Sequence, residues 1–258
     1  MFKTSCLVSL AVISLLGFSS SSNATIVEFQ TSQGPIKVNL FDQTTPKTVE
    51  NFLNYIDEQH YTNSVVHRVS ANFVVQGGGF SFEGDWPLTR IETNAAVVNE
   101  PVYSNVKGTI AMAKLGGNAN SATDQWFFNL ANNSAGSASL DVQNGGFTVF
   151  GQVIGDGMAV IEKIASLRLC TNENLENIPM TDDYSSQDCT EQTTPGIENF
   201  VVITQIDIID PSEVTDADLS PAKNTLINQE TPKESSGGGT MAFLSVLLLT
   251  LFNIRKKR

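Results

Sequence analysis

The run VVHRVSANFVVQGGGF, residues 65–80, sets one arginine beside a histidine in an apolar stretch and closes on a glutamine and three glycines. Its apolar residues fall in two short groups, Val65–Val69 and Phe73–Gln76, which read as strands. A cation fixed in apolar surroundings acts through its field, which a low dielectric strengthens. No nucleophile, acid pair or metal cluster accompanies it.

Working outward, strand signals dominate. Ile26–Thr31 and Ile36–Phe41 flank Ser32-Gln33-Gly34-Pro35, and Ile36, Val38 and Leu40 alternate with Lys37 and Asn39, the pattern of two half-buried strands joined by a turn. The period then changes. Thr45 is placed to cap a helix, Pro46 to open it, and Val49, Phe52, Leu53 and Ile56 to share its apolar face. Further strands are expected at 109–113, 125–130, 147–154 and 200–209, and a second helix at 158–167. Many short strands without regular strand-helix alternation exclude a doubly wound sheet, and a closed antiparallel all-β barrel leaves no exposed edge.

The two ends differ from the middle. Residues 1–24 have the layout of a secretory signal peptide, with Lys3, an apolar core and a small-residue exit at Ala24; an uncleaved anchor is the alternative. Residues 25–210 form one domain, long enough to bury a core. Residues 211–236 are polar and punctuated by Pro211, Pro221 and Pro232, a tether with no core of its own. Residues 237–258 run from glycines through an apolar stretch to Arg255-Lys256-Lys257-Arg258, which places the bulk of the chain on the outer side of a membrane. This tail is short for a full span and resembles the GlyGly C-terminal sorting signals, so its partner is the membrane or a sorting protease. The chain is therefore expected to be exported, periplasmic or at the cell surface, and at least transiently anchored by its tail.

Acidic residues outnumber basic ones 27 to 15, which argues against nucleic acid as a partner. Cys170 and Cys189 would follow the domain across the membrane, where an oxidising compartment lets them pair; free thiols are the alternative. The bridge would close a polar insertion, 170–189, with no apolar periodicity, for a gain of about 3 kcal/mol. With two histidines in the chain, a metal site is not expected.

Several blocks then occur in a telling order: Val66-His67-Arg68-Val69, Asn72 to Phe80, Gly108 to Ala113, Ser121 to Asn129, and Asn144 to Gly151. Together they resemble the cyclophilins, the peptidyl-prolyl cis-trans isomerases. The resemblance spans about 25–210 and implies an eight-stranded antiparallel barrel capped by two α-helices. It implies an enzyme that accelerates rotation of Xaa-Pro bonds in exported or envelope proteins, works without a cofactor, and acts as a monomer on proline-containing polypeptides. A weakly catalytic or inactive prolyl-peptide binding or chaperone module is the alternative.

It also gives the arginine a task. Rotation about a peptide bond faces a barrier of about 18–20 kcal/mol from amide resonance, and before proline both isomers are populated. A guanidinium directed at the prolyl nitrogen favours the twisted, pyramidal state, and each ~1.4 kcal/mol gained there is about tenfold in rate. The resemblance assigns this role to Arg68, with Phe73, Gln76 and Phe127 as its catalytic companions. Val74, Ala113, Lys114, Gln125, Leu140 and Phe147 map onto substrate-binding positions. His67 reads as structural, because strand alternation turns it away from Arg68. Val66 and Val74 stand where the family commonly has phenylalanine and methionine, which leaves a shallower pocket, and Ser139 stands where some members carry a tryptophan linked to cyclosporin binding, which argues against drug sensitivity.

Overall fold

The computed structural model describes residues 25–172, 175–211 and 219–228 of the chain's 258; the expected signal peptide and sorting tail lie outside these residues. The elements are β1 (Ile26–Thr31), β2 (Gly34–Leu40), α1 (Pro46–Asp57), β3 (Ser64–Val65), β4 (Arg68–Ser70), β5 (Val74–Gly77), β6 (Phe80–Ser81), β7 (Thr89–Arg90), β8 (Thr109–Met112) and β9 (Trp126–Asn129). They continue with β10 (Val149–Ile154), α2 (Gly157–Ala165), β11 (Arg168–Asn172), β12 (Leu175–Met180), α3 (Ser186–Glu191) and β13 (Val202–Asp210).

Eleven strands form one sheet in the order β4-β5-β9-β8-β10-β2-β1-β13-β3-β6-β7, and neighbouring strands pair antiparallel. The sheet is strongly curled. Its β3 and β4 are separated only by Val66 and His67, yet Val65 pairs with Val202 of β13 while Arg68 pairs with Gln76 of β5. The Val66 amide donates to the Val201 carbonyl (3.0 Å) and the His67 amide to the Gln76 carbonyl (3.1 Å), so one short run bonds to strands from both ends of the order.

Local chemistry accounts for the elements. In the β1–β2 hairpin Glu28 faces Lys37 across the ladder, their side chains forming an ion pair at 3.6 Å, while Val27, Phe29, Ile36 and Val38 are buried on the other face. Gly34 closes the turn at φ 132°, in the region that favours glycine. Helix α1 buries Val49, Phe52 and Tyr55. Thr45 stands at its N-cap, but its hydroxyl donates to the Phe41 carbonyl instead of capping the helix. Glu100 supplies the cap from a distant loop, accepting the Thr48 amide (3.0 Å), the Thr48 hydroxyl (2.8 Å) and the Lys47 amide (3.4 Å). A carboxylate suits this helix end, where unpaired amides concentrate positive charge.

Aromatic rings pack together within a largely aliphatic main core. The Phe29 ring meets Trp126 (5.1 Å) and Phe128 (5.5 Å) edge-on and lies 6.0 Å from Phe52. Such contacts add about 0.5–1.5 kcal/mol each to simple burial.

Two segments differ from expectation. The insertion at 170–189 is a folded lobe, with hairpin β11–β12 and helix α3, which is additional to the two helices expected. Cys170 and Cys189 are bonded, their Cα atoms 5.5 Å apart. Ile178, Met180 and Tyr184 of the lobe pack with Val65, Leu88 and Phe200, and Trp86 stacks on Phe200 at 6.0 Å. Second, part of the expected tether is docked on the domain: Ser104 N–H donates to the Ala222 carbonyl (2.8 Å) and Asn224 N–H to the Val102 carbonyl (2.9 Å).

Phe29 touches three rings, so Phe29→Ala is expected to lower the unfolding free energy by about 3–5 kcal/mol. Urea titration checks this; a loss under about 1 kcal/mol would contradict the packing described.

Candidate functional site

Register builds the site. Arg68 of β4 faces Gln76 of β5, Gln76 faces Phe127 of β9, and Phe127 faces Ala111 of β8. Directly opposed residues share one face of an antiparallel sheet. One residue along, Val69, Val75, Phe128 and Ile110 form the parallel row, and these four belong to the main core. The Arg68 row therefore lies on the opposite face from the core.

Hydrogen bonds order the polar end of the row. Gln76 Nε2 donates to Gln125 Oε1 (2.9 Å), and Arg68 Nη1 approaches Gln76 Oε1 at 3.4 Å. Both glutamines are buried, whereas Arg68 is half-buried. Burial pulls the guanidinium below its ordinary value and the field of Glu176 on β12 opposes this. An arginine so placed remains cationic at neutral pH. The glycines of 77–79 allow the approach. A Cβ on Gly79 would come within 2.7 Å of the Gln125 carboxamide, so only bare backbone leaves that side chain room to meet Gln76.

The apolar end is a second cluster, separate from the main core, of Phe41, Val74, Ala111, Ala113, Phe127, Leu140, Phe147 and Val149, bordered by Phe73 and Tyr103. The Phe127 and Phe147 rings meet edge-to-face at 5.9 Å. Phe73, Val74, Phe127, Leu140, Phe147 and Ala113 are thus brought together. Lys114 is placed differently from its neighbour. Its side chain is buried, and its ammonium donates to the Asn144 (2.9 Å) and Gly146 (2.7 Å) carbonyls while lying 4.7 Å from the Phe147 ring centroid. Burial lowers its pKa to about 8. Its side chain ties down the 144–146 loop beside the Phe147 ring.

Several residues here escaped the sequence reading. Ala111, Phe41 and Tyr103 line the apolar cluster. Behind them is a buried polar network: Asn105 donates from its amide to Asp141 Oδ1 (2.8 Å) and from its side chain to the Phe147 carbonyl (3.1 Å). Asn133 donates to the Phe73 carbonyl (2.9 Å) and to Asn129 Oδ1 (2.7 Å). These bonds hold the backbone of two of the rings. Polar loop residues carry no apolar period, so only the sequence positions of the rings themselves could be read.

His67 meets the Phe80 ring edge-on at 5.0 Å and shares a side-chain hydrogen bond with Gln125, the residue that orders Gln76. Burial above all, and then the charges of Arg68 and Arg90, depress its pKa to about 3. It is neutral at physiological pH. Cys170 and Cys189 lie in the lobe cluster with Trp86 and Phe200 and not in the apolar cluster of Phe127.

Known proteins resemble this chain over most of the described domain. Residues 26–183 match the family model described as cyclophilin type peptidyl-prolyl cis-trans isomerase. The chain is 37% identical over 157 residues to a peptidyl-prolyl cis-trans isomerase of Acinetobacter baylyi, covering 60% of this chain and 79% of that one. It is 35% identical over 160 residues to peptidyl-prolyl cis-trans isomerase B of Escherichia coli, covering 61% and 94%. A solved cyclophilin type isomerase from Cryptosporidium parvum shares the fold with TM-score 0.50 and 21% identity, over 72% of this chain and 98% of that one.

The burial of His67 has a pH signature. Free histidine titrates near 6.5 and folded His67 near 3, so between these values the unfolded chain binds a proton that the folded chain refuses. Its contribution is intact above about pH 6.5 and is lost as pH falls, with a slope approaching about 1.4 kcal/mol per unit. His67→Gln is expected to remove that slope. Urea unfolding of both proteins from about pH 7 down to about pH 4.5 reads the difference, and a gap that stays constant across the range would contradict a neutral buried imidazole.

Proposed function

Because the chain belongs to the cyclophilin-type peptidyl-prolyl cis-trans isomerases and is an enzyme of that class, we propose that Xaa-Pro rotation takes place on the face that joins Arg68 to the Phe127 cluster. The observation that carries this is the Arg68–Gln76–Phe127 row, which sets a cation and an apolar socket side by side on neighbouring strands. Two strand spacings, about 10 Å, separate Arg68 from Phe127. The Arg68 side chain reaches over Gln76, whose Oε1 accepts from its Nη1 at 3.4 Å.

In this reading the prolyl ring rests among Phe73, Val74, Phe127, Leu140 and Phe147, and Ala113 and the Lys114 backbone line the substrate chain. With the ring held, the residue before proline turns about the C–N bond. As resonance is lost the prolyl nitrogen regains its lone pair, and the Arg68 guanidinium donates to it. This bond is absent in both planar isomers and present in the twisted state, so it lowers the barrier in both directions. Gln125 orders Gln76 and Gln76 orders Arg68, so little reorganisation accompanies the turn. No proton is transferred, no covalent bond forms, and the reaction calls for no cofactor.

The same proposal takes the curled sheet as a closed barrel of eight strands, with residues 64–70 serving as a single strand. Their bonds to Val201, Val202 and Gln76 support this. We further place the enzyme outside the inner membrane, periplasmic or at the cell surface, as a monomer acting on prolyl polypeptides and tethered for a time by residues 237–258. The charge and hydropathy of both chain ends support export, and so does the Cys170–Cys189 disulfide, which belongs to an oxidising compartment.

The test is proline-limited refolding and prolyl-peptide isomerisation with the full chain. The rate should scale with wild-type concentration, and Arg68→Ala should reduce kcat/KM by well over tenfold with peptide Kd changed less than threefold. Unaltered turnover in the folded variant would refute the role of Arg68.

A further inference from the structure

The segment docked beside the pocket, residues 222–227, lies beyond the region that matches the family model, which ends at residue 183. It forms an antiparallel bridge in which Lys223 faces Tyr103. Three bonds fasten it: Ser104 N–H to the Ala222 carbonyl (2.8 Å), Ser104 hydroxyl to the Lys223 carbonyl (3.1 Å), and Asn224 N–H to the Val102 carbonyl (2.9 Å).

Asn224 then uses both ends of its carboxamide. Its Oδ1 accepts from the Leu226 (3.0 Å) and Ile227 (3.1 Å) amides and folds the segment into a turn. Its Nδ2 donates to the Asp141 carbonyl (2.8 Å). The turn brings the Ile227 Cδ1 methyl onto Gly146, 3.1 Å from where a Cβ would stand. Asp141 follows Leu140 and Gly146 precedes Phe147, two walls of the apolar cluster, and Tyr103 borders the same cluster with its ring 4.8 Å from Phe41. One short strap therefore touches the backbone behind Leu140, Phe147 and Tyr103 at once.

We infer that Asn224 is a positioning residue of the isomerase, and that the strap it folds holds the rear wall of the prolyl pocket in its binding shape. This rests on the assignment of that pocket to the substrate. The rigid row Arg68–Gln76–Phe127 is set by sheet register and does not depend on the strap. Loss of the strap acts on capture of the prolyl ring and leaves the guanidinium step intact.

The experiment compares the full-length wild type, Asn224→Ala and Asn224→Asp, with Arg68→Ala as a control. Asp at 224 retains an oxygen for the Leu226 and Ile227 amides but has no donor for the Asp141 carbonyl. Both variants are expected to raise KM for a prolyl tetrapeptide about three- to tenfold at a kcat within twofold, and turnover in each should still collapse when Arg68→Ala is added. Unchanged KM in either folded variant overturns the inference, whereas indifference to Arg68→Ala overturns the pocket assignment instead. A measurement on the wild type avoids any failure of the variants to fold: saturating tetrapeptide should shift the side-chain amide resonance of Asn224, and an unmoved resonance also overturns the inference.

Discussion

The site depends on how closely Trp126 approaches the glycines of 77–79. A Cβ on Gly77 would come within 2.6 Å of the indole, and one on Gly78 within 2.6 Å of the Asp124 carbonyl. Bare backbone at these positions lets β9 lie along β5 with its largest side chain turned into the core, where it meets Phe29 and Phe128 edge-on. With Trp126 seated, its two neighbours have no freedom of placement. Gln125 is delivered to Gln76, and Phe127 to the floor of the apolar cluster.

From that anchor the molecule builds its chemistry out of groups that do not titrate in use. Arg68 stays charged because the basicity of a guanidinium outlasts its burial, His67 stays neutral through burial, and the glutamines between the socket and the cation are neutral at any pH. Amide rotation redistributes charge without moving a proton, so a site of fixed charge and fixed dipoles suits it. The two halves of the site are held by different means. Sheet register fixes the row, whereas Leu140 and Phe147 come from a loop and are held by Asn105, Asp141, Lys114 and the strap.

Much of this was legible from residue order. The alternation of Ile36, Val38 and Leu40 against Lys37 and Asn39 marked a hairpin that the structure contains, and the blocks around Arg68, Gln76, Gln125 and Phe127 marked residues that the structure brings together. What was not legible shares one physical trait, dependence on a partner far along the chain. Glu100 caps α1 in place of Thr45 from a separate loop. The lobe's Ile178-Pro179-Met180 shows no alternation, because its burial comes from Leu88, Phe200 and neighbours outside the insertion. The strap reads as a polar linker, since a carboxamide that organises a turn looks in sequence like any exposed asparagine.

The alternation of rows across β4, β5, β9 and β8 has a consequence for how the chain matures. A slip of one residue in β4 would carry Arg68 into the core and turn Val69 outward. An unpaired charge inside the sheet costs several kcal/mol, a large part of what holds a domain of this size together. A misregistered molecule is therefore returned to the unfolded pool and does not persist as a compact decoy that grips prolyl clients without turning them. Correct assembly and correct placement of the cation are therefore proofread by the same event.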